Sequence, residues 1–199
     1  MNSNPDKRAQ RTEKAIQDAF ERLISTMPLA DITVTRLTQE ADINRKTFYL
    51  HYNSIEDLLN GQVDNISHQM LSILSIKPMK EIYSDPGFFF DQYSKLVLKH
   101  HSVARALTSS NEYAPYMRKI GDRIADSLTN RVKQSFPMSD KDATIVAYFL
   151  IHNTLSLFQL YLQEPNTMTI DELREYIIRL NMQGLSTFSK LELKPESDK

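Results

Sequence analysis

Cysteine is absent from this chain of 199 residues, and glycine occurs only four times. Without cysteine the protein cannot form disulfides, thiolate metal sites or a catalytic thiol, and it cannot sense redox state through a thiol. The four scattered glycines do not form the glycine-rich loop that cradles a phosphate or a dinucleotide. These absences exclude several enzyme classes and suit a reducing cytosol.

The sequence also lacks an evident targeting or membrane-spanning segment. It begins Met-Asn-Ser-Asn-Pro-Asp-Lys-Arg, which has no apolar core of a signal peptide. No apolar run approaches the roughly 18 residues that span a bilayer. We therefore expect a cytoplasmic protein with no membrane partner.

The residue patterns of common hydrolases and metal sites are missing as well. The chain has no Gly-x-Ser-x-Gly elbow and no His-Glu-x-x-His pair. His100 and His101 are adjacent, so on a helix they point about 100° apart and do not form a metal-binding pair. We expect no metal, no cofactor and no enzymatic activity; an all-helical enzyme with an aromatic pocket is an alternative that no residue pattern favours.

The net charge of −1 provides little long-range attraction for a nucleic acid. Residues 1–53 carry eight lysines and arginines against seven acidic residues, whereas the rest of the chain carries 16 against 18. A small basic footprint is formed by Lys7, Arg8 and Arg11 together with Arg45 and Lys46. Any binding to DNA should therefore depend on specific contacts and on dimerisation.

Residues 33–53 are the most informative segment, because they predict two short helices joined by a tight turn. Thr33 is a good N-cap for a helix over 34–41, whose apolar residues share one face. Asp42 stands at the reversal, where a short polar side chain tolerates the left-handed conformation. Asn44 is a second N-cap, and it starts a helix over 45–52.

The second of these helices has an apolar stripe and a polar face. Phe48 and Tyr52 lie four residues apart and should point inward. The outward residues are of the types that contact bases and phosphates: Arg45, Lys46, Thr47, Tyr49 and His51. An ordinary solvated helix is the alternative, but it leaves the two caps, the turn and the exposed tyrosine unexplained.

At this point the chain resembles a known family. The segments that carry the resemblance are Arg11-Thr12, Ile32-Thr33-Val34, Ala41 through Tyr52 with its Thr-Phe-Tyr centre, and Ser54 through Leu59. Together they look like the DNA-binding domain of TetR/AcrR-type transcriptional regulators over about the first third of the chain. Three positions depart from the usual pattern: Asp42 replaces a common glycine, Lys46 a small residue, and Ile55 a lysine that often anchors the next helix to the DNA backbone.

The resemblance implies an all-α fold in two parts. Residues 1–67 would form a three-helix helix-turn-helix domain with the start of a connecting helix, and residues 68–199 a helical effector-binding and dimerisation domain. Arg45, Lys46 and Thr47 would read bases, with Thr35, Arg36, Tyr49 and His51 on phosphates and Thr33 and Asn44 as caps.

Apolar spacing and proline positions predict about nine helices in all. Besides those at 34–41 and 45–52, they cover 9–27, 54–76, 86–99, 101–109, 112–135, 139–163 and 169–190, with a disordered tail over 194–199. In the family the last two long helices commonly form a four-helix dimer interface. The corresponding residues here are Tyr148, His152, Leu155, Leu162, Tyr176, Leu180 and Gly184; two core helices of a monomer are the alternative.

Family members usually hold a small ligand inside the larger domain. The residues of this sequence that suit such a pocket are His68, Phe89, Tyr93, His100, Arg105, Tyr113, Asn153 and Phe158. Plain core packing is the alternative for each aromatic residue. Phe88, Phe89 and Phe90 are consecutive, so at least one of them should meet a loop, a ligand or another subunit.

These observations predict a homodimeric, sequence-specific regulator that binds a palindromic DNA operator, acts as a repressor and is controlled by a small-molecule effector. The alternative is a regulator-like dimer that acts as a co-activator or adaptor through protein contacts. The near-neutral N-terminal region and Ile55 favour that alternative.

Overall fold

The computed structural model describes residues 5–192 apart from 86, 100 and 165. Within them the chain forms ten α-helices and no strand, which confirms the all-α prediction. The helices are α1 Pro5–Ile24, α2 Val34–Glu40, α3 Arg45–Tyr49, α4 Ile55–Ser75, α5 Met79–Ser84, α6 Gly87–Lys99, α7 His101–Ser109, α8 Ala114–Ser135, α9 Asp140–Gln163 and α10 Ile170–Glu192. The tail predicted over 194–199 lies outside the described residues.

Most helix bounds lie within one or two residues of the predicted ones, and three differences have a physical reason. Helix α3 ends at Tyr49 rather than at residue 52, because the amides of Leu50 and His51 turn back to bond the carbonyls of Thr47 and Phe48. Helix α5 was not predicted, since prolines flank its segment and it is only six residues long. Helix α1 begins at Pro5, four residues before the predicted start, and proline suits the first turn of a helix.

Two clusters of buried side chains organise the fold. The N-terminal core is built from α1, α2, α3 and the start of α4, with Phe20, Leu37, Phe48 and Leu58 almost fully buried. It also receives four residues from α7 and the turn after it: Val103, Ala106, Leu107 and Tyr113. The predicted boundary at residue 67 stays a prediction, but part of the later sequence packs into the earlier unit.

The C-terminal core joins the remaining helices, with α9 packed between α8 and α10. At Gly121 of α8, an added Cβ would lie 2.7 Å from Cε1 of His152 on α9, so a larger residue would require the imidazole ring to move. At Gly87 of α6 the guanidinium of Arg174 crosses the backbone to reach Asp91, with its Nε 2.8 Å from the carboxylate. These two close approaches fix α9 against α8 and α10 against α6.

Helix α9 corrects one prediction from the sequence. It is long enough to cross a membrane, and an 18-residue window of it has a mean hydropathy of 1.4, so the chain does contain an apolar stretch of that length. Eight residues of α9 are buried among α8, α10 and their neighbours, and the helix begins with the acidic residues Asp140 and Asp142. Only 39% of that window is buried inside the protein, so core packing accounts for part of its apolar character, and exposed residues such as Tyr148 and Phe149 account for the rest.

Candidate nucleic-acid interface

The α2–turn–α3 segment is built by local hydrogen bonds. The hydroxyl of Thr33 accepts from the amide of Arg36 at 3.2 Å, and Oδ1 of Asn44 accepts from the amide of Thr47 at 2.8 Å. Between the helices Asp42 has φ 52°, and the amide of Ile43 donates to the carbonyl of Thr38 at 3.0 Å. The two predicted caps and the left-handed aspartate are therefore all present, and they make the turn possible without glycine.

Helix α3 is attached to the N-terminal core by two aromatic rings. Phe48 has no exposed surface, and its ring centroid lies 6.0 Å from that of half-buried Tyr52. The hydroxyl of Tyr52 lies 3.4 Å from both the Gln17 amide and the Glu13 carboxylate of α1. Burial, ahead of the nearby carboxylates, raises the pKa of Tyr52 above its ordinary value. Helix α3 is thereby held in one orientation on α1.

The opposite face of α3 presents several of the predicted contact residues to solvent. Arg45 and Lys46 are exposed, as is Tyr49, whose ring meets Phe48 edge-on at 5.4 Å. His51 is half-buried beside Tyr52 in the turn that follows the helix. This face therefore joins two cations and an aromatic hydroxyl on a fixed helix.

Two of the predicted contact residues are partly engaged within the protein. The Thr47 hydroxyl donates to Oδ1 of Asn44 at 3.0 Å, so its proton already has an acceptor. Nη1 of Arg36 donates to the carbonyl of Asp31 at 3.3 Å, which turns this guanidinium toward the α1–α2 connection. Thr35 is exposed on the same helix. The free cations of the predicted set are thus concentrated at Arg45 and Lys46 on α3.

Leu50 was missed by the sequence analysis. It is 77% exposed, the most exposed large apolar residue among those that the structure describes, and it directly follows α3. A leucine two residues after the buried Phe48 falls off the inward stripe, and that spacing was the available signal. The structure thus adds an apolar contact group to the exposed face.

Ile55, which stands in place of the expected lysine, is half-buried against the N-terminal core. The start of α4 is instead secured by Ser54, whose hydroxyl accepts from the amide of Asp57 at 3.0 Å. The Asp57 carboxylate in turn accepts from the amide of Asn53 at 2.8 Å. The substitution at residue 55 therefore adds packing where a cation was expected.

The C-terminal core contains two apolar cavities. The first, about 90 Å³, is lined by residues of α4, α5, α6, α8, α9 and α10, among them Phe89, Phe90, Thr154 and Asn181. The second, about 70 Å³, lies between α4, α6, α7, α8 and α9 and is lined by Tyr93, Leu107 and Phe158 among others.

The predicted pocket residues are divided by this arrangement. Phe89 lines the first cavity, Tyr93 and Phe158 line the second, and Asn153 reaches the first through a hydrogen bond of 2.7 Å to Asn181. His68 and Arg105 do not belong to either cavity, because their helices bury the opposite faces and leave both side chains exposed. His100 lies outside the described residues.

Tyr113 was predicted to line the ligand pocket, and this prediction was wrong because Tyr113 lies in the N-terminal core. Its hydroxyl is buried and has no hydrogen-bond partner among the described residues. Burial, followed by the nearby Glu112 carboxylate, raises the pKa of Tyr113 to about 12. Beside it, Oε2 of Glu112 accepts from the amide of Leu29 at 3.2 Å and so links the turn after α7 to the α1–α2 connection.

The residues predicted for a dimer interface fall into two groups. Tyr148, Tyr176 and Leu180 are exposed on α9 and α10, and the structure adds Ile145 and Phe149 to that surface. Leu155 and Leu162 are buried within the subunit, so the prediction for them was wrong. His152 is half-buried with its ring stacked on Tyr148 at 4.0 Å, and Gly184 lies in the part of α10 whose side-chain surroundings are not described.

No protein-family model matches this chain. A curated relative is the uncharacterized HTH-type transcriptional regulator YxbF of Bacillus subtilis (strain 168), which is 35% identical over 72 residues. The matched segment is 36% of this chain and 19% of that relative, so the chain spans about a fifth of the curated relative's length.

Solved structures resemble the chain over most of its length. The dihydroxyacetone kinase operon activator DhaS has a TM-score of 0.65 at 16% identity, covering 89% of this chain and 98% of its own. NalD of Pseudomonas aeruginosa, the secondary repressor of the MexAB-OprM multidrug efflux pump, reaches 0.68 at 17% identity, covering 89% and 97%. A putative TetR-family regulator from Syntrophomonas wolfei reaches 0.66 at 14% identity, covering 92% and 97%. These likenesses confirm the predicted resemblance at the level of the fold.

Proposed function

We propose that this chain, which has the fold of TetR-type regulators, is a homodimeric, sequence-specific DNA-binding transcriptional regulator of the cytoplasm. The observation that carries the proposal is helix α3, which is held on the N-terminal core by Phe48 and Tyr52 and exposes Arg45, Lys46 and Tyr49. A short, rigidly mounted helix with cations on its outer face fits the major groove of DNA.

The exposed residues have distinct roles in this proposal. Arg45 and Lys46 donate to guanine edges, and Leu50 packs on thymine methyl groups. Tyr49, His51 and Thr35 contact phosphates, which position the helix on the duplex. Thr47 contributes its methyl group, since its hydroxyl donates to Asn44. Arg36 reaches a phosphate only if it leaves the Asp31 carbonyl.

Dimerisation would use the exposed apolar surface of α9 and α10. Ile145, Tyr148, Phe149, Tyr176 and Leu180 are each between 43% and 52% exposed, and together they form a candidate self-association surface. A two-fold axis through that surface would place two α3 helices on the half-sites of a palindromic operator. Since the N-terminal region is nearly neutral, affinity would come from this pairing more than from overall charge.

The proposal also includes repression of transcription under the control of a small molecule. The two cavities mark where an effector would bind, and the contacts of α7 with the N-terminal core would link that region to α3. Among the solved structures with this fold, NalD is described as a repressor and DhaS as an operon activator. The fold is therefore compatible with either sign of regulation.

A binding experiment on selected DNA tests the proposal. Duplexes enriched from a random library by the full-length protein are used in an anisotropy titration. Arg45→Ala should lose about 1–3 kcal/mol of binding free energy on the enriched sequence. Lys95→Ala, which removes an exposed cation from α6, is the matched control and should bind normally. Failure to enrich any sequence would refute the DNA-binding function.

The dimer is tested in the same assay. Leu180→Glu places a charge on the exposed face of α10, so sedimentation should show monomers and the enriched duplex should be bound more weakly. Thermal unfolding monitored by circular dichroism checks that the variant is folded. A folded Leu180→Glu protein that remains dimeric would exclude this surface as the interface.

A co-activator or adaptor acting through protein contacts is the second candidate function. It is favoured by Ile55, which packs where a phosphate-binding lysine was expected, and by the near-neutral N-terminal region. Salt separates the two functions, because binding to DNA weakens steeply as salt rises whereas an apolar protein interface hardly responds.

A further inference from the structure

The two cavities of the C-terminal core are separated by a layer of aromatic rings. Phe90 lines the first cavity, whereas Tyr93 and Phe158 line the second. The Phe90 and Phe158 rings are stacked with centroids 5.2 Å apart, and the Tyr93 ring meets Phe158 edge-on at 4.5 Å. The Phe158 ring therefore contacts Phe90 in the wall of the first cavity and itself lines the second.

Neither cavity has a charged side chain among the described residues of its wall. The polar side chains are Tyr83, Thr154 and Asn181 in the first cavity and Tyr93, Thr108 and Gln159 in the second. Transfer of an ionised group into such surroundings is costly unless a partner charge is present. The wall chemistry therefore selects against carboxylates, phosphates and ammonium groups.

The first cavity has one polar corner. Asn153 donates to the Asn181 carbonyl oxygen at 2.7 Å, and the Asn181 amide donates to the Thr154 hydroxyl at 3.1 Å. The Thr154 hydroxyl donates in turn to the carbonyl of Leu150 at 2.7 Å. An amide nitrogen carries two hydrogens, so Asn181 retains one for an acceptor atom in the cavity.

Each cavity alone is smaller than the roughly 150 Å³ that holds a benzene molecule. The first is about 90 Å³ and the second about 70 Å³, so each suits a segment of a narrow chain. We propose that the two cavities are parts of one site for an elongated, uncharged, largely hydrocarbon ligand, with a hydroxyl or carbonyl oxygen at Asn181 and a methylene chain passing Phe158.

The location of the second cavity relates this ligand to DNA binding, and this step rests on the proposed function. Val103 and Leu107 of α7 line that cavity and also belong to the N-terminal core. The Thr108 carbonyl at the end of α7 accepts from the side chains of Gln159 and Gln163 on α9. A methylene chain in the second cavity therefore pushes on a helix shared with the unit that carries α3.

The test uses the full-length protein, with octanoate and the straight-chain alcohols from 1-butanol to 1-octanol as probes. Titration calorimetry at pH 8 should show 1-octanol binding at least tenfold more tightly than octanoate, which is ionised at that pH. Along the alcohol series from 1-butanol, affinity should rise about fourfold per added methylene. Octanoate binding as tightly as 1-octanol, or a plateau at the length of 1-butanol, would overturn the inference.

Two variants locate the ligand. Ala104→Phe fills the second cavity, so it should weaken 1-octanol at least tenfold and leave 1-butanol unchanged; Ala9→Phe, an exposed alanine of α1, is the matched control. Asn181→Leu should weaken both alcohols. Unchanged binding of 1-octanol by a folded Ala104→Phe protein contradicts the two-part site, and the alcohol series on the unmodified protein decides the question if that variant does not fold.

Binding of the enriched duplex and binding of the alcohols are measured separately, so the proposed function and this inference can fail independently. If the ligand-free protein binds that duplex but octanoate binds as tightly as 1-octanol, only the ligand class is wrong. If 1-octanol binds as expected but no duplex is enriched, the ligand site stands and the regulatory function fails. With both correct, 1-octanol should change the affinity for the duplex.

Discussion

The two cores of this molecule are built differently. Both cores contain side chains with no exposed surface, such as Leu37 and Phe48 in the N-terminal core and Ile124 and Leu173 in the C-terminal core. In the N-terminal unit the short helices α2 and α3 each start at a side-chain cap. The C-terminal core consists of long helices and contains the two apolar cavities. A surface that reads DNA must be held in one geometry, whereas a domain that responds to a ligand needs space that can be filled.

The largest expected effect concerns the tight packing around α3. Phe48→Ala should lower the free energy of unfolding by about 3–5 kcal/mol, because the side chain has no exposed surface and its removal leaves a cavity. Phe89→Ala in the C-terminal core should cost less than half as much, since Phe89 is half-buried beside an existing cavity. Urea unfolding of both variants measures the difference; equal losses would remove the contrast between the cores.

The second-largest expected effect is the loss of stability when a helix N-cap is removed. Asn44→Ala and Ser139→Ala each remove the side chain that accepts the first amide hydrogen bonds of a helix, α3 and α9 respectively. Each should cost about 0.5–2 kcal/mol of stability. Only Asn44→Ala should also weaken binding to the enriched duplex, because α3 is five residues long and depends on its cap. A similar loss of DNA affinity in Ser139→Ala would show that both caps act through global stability.

The smallest effect concerns the buried hydroxyl of Tyr113. Its removal in Tyr113→Phe should stabilise the protein by about 1 kcal/mol at neutral pH, because the hydroxyl is desolvated without a partner among the described residues. Urea unfolding of the variant and the unmodified protein at pH 7 measures the change. A destabilised variant would indicate that the hydroxyl has a stabilising contact.

Tyr113 also determines how the stability of the protein changes at alkaline pH. Burial raises the pKa of Tyr113 from 10.0 to about 12, so the folded protein holds this proton more tightly than the unfolded chain does, and its free energy of unfolding falls as the pH rises from about 10 toward 12. Tyr93 of the C-terminal core, with a pKa also raised by burial, acts in the same direction. Tyr113→Phe should therefore lose less stability between pH 9 and about 11 than the unmodified protein.

Much of the fold and of the interface could be predicted from residues close together in the sequence. Thr33, Asn44 and Ser54 bond amides three residues ahead, and Asp42 adopts its left-handed conformation by itself. The burial of Phe48 followed from its spacing with Tyr52. By contrast, the placement of His68, Arg105, Tyr113, Leu155 and Leu162 depended on which neighbour each helix face meets, and periodicity alone does not identify that neighbour.

The exposure of Leu50 and the presence of two cavities in place of one pocket also could not be predicted from helix periodicity. The apolar character of Leu50 did not predict that 77% of its surface is exposed. At least one of the aromatic residues at 88–90 was expected to meet a loop, a ligand or another subunit, and Phe88 does meet Lys77 of the α4–α5 connection, whose Nζ lies 4.2 Å from the ring centroid. The contact of Phe90 with Phe158, which is 68 positions further along the chain, was not predicted. Such a contact is formed between helices and has no local signature.

By itself the sequence determined that the protein is all-helical, where most of its helices begin, and that residues 33–53 present a polar helix on an apolar base. The reason is that caps, turns and stripes are set by interactions over three or four residues. Only the tertiary structure decided which apolar faces are buried, where the cavities lie and that α7 is shared between the two cores. Those features arise from packing among distant segments, which depends on the shapes of all the surfaces that meet.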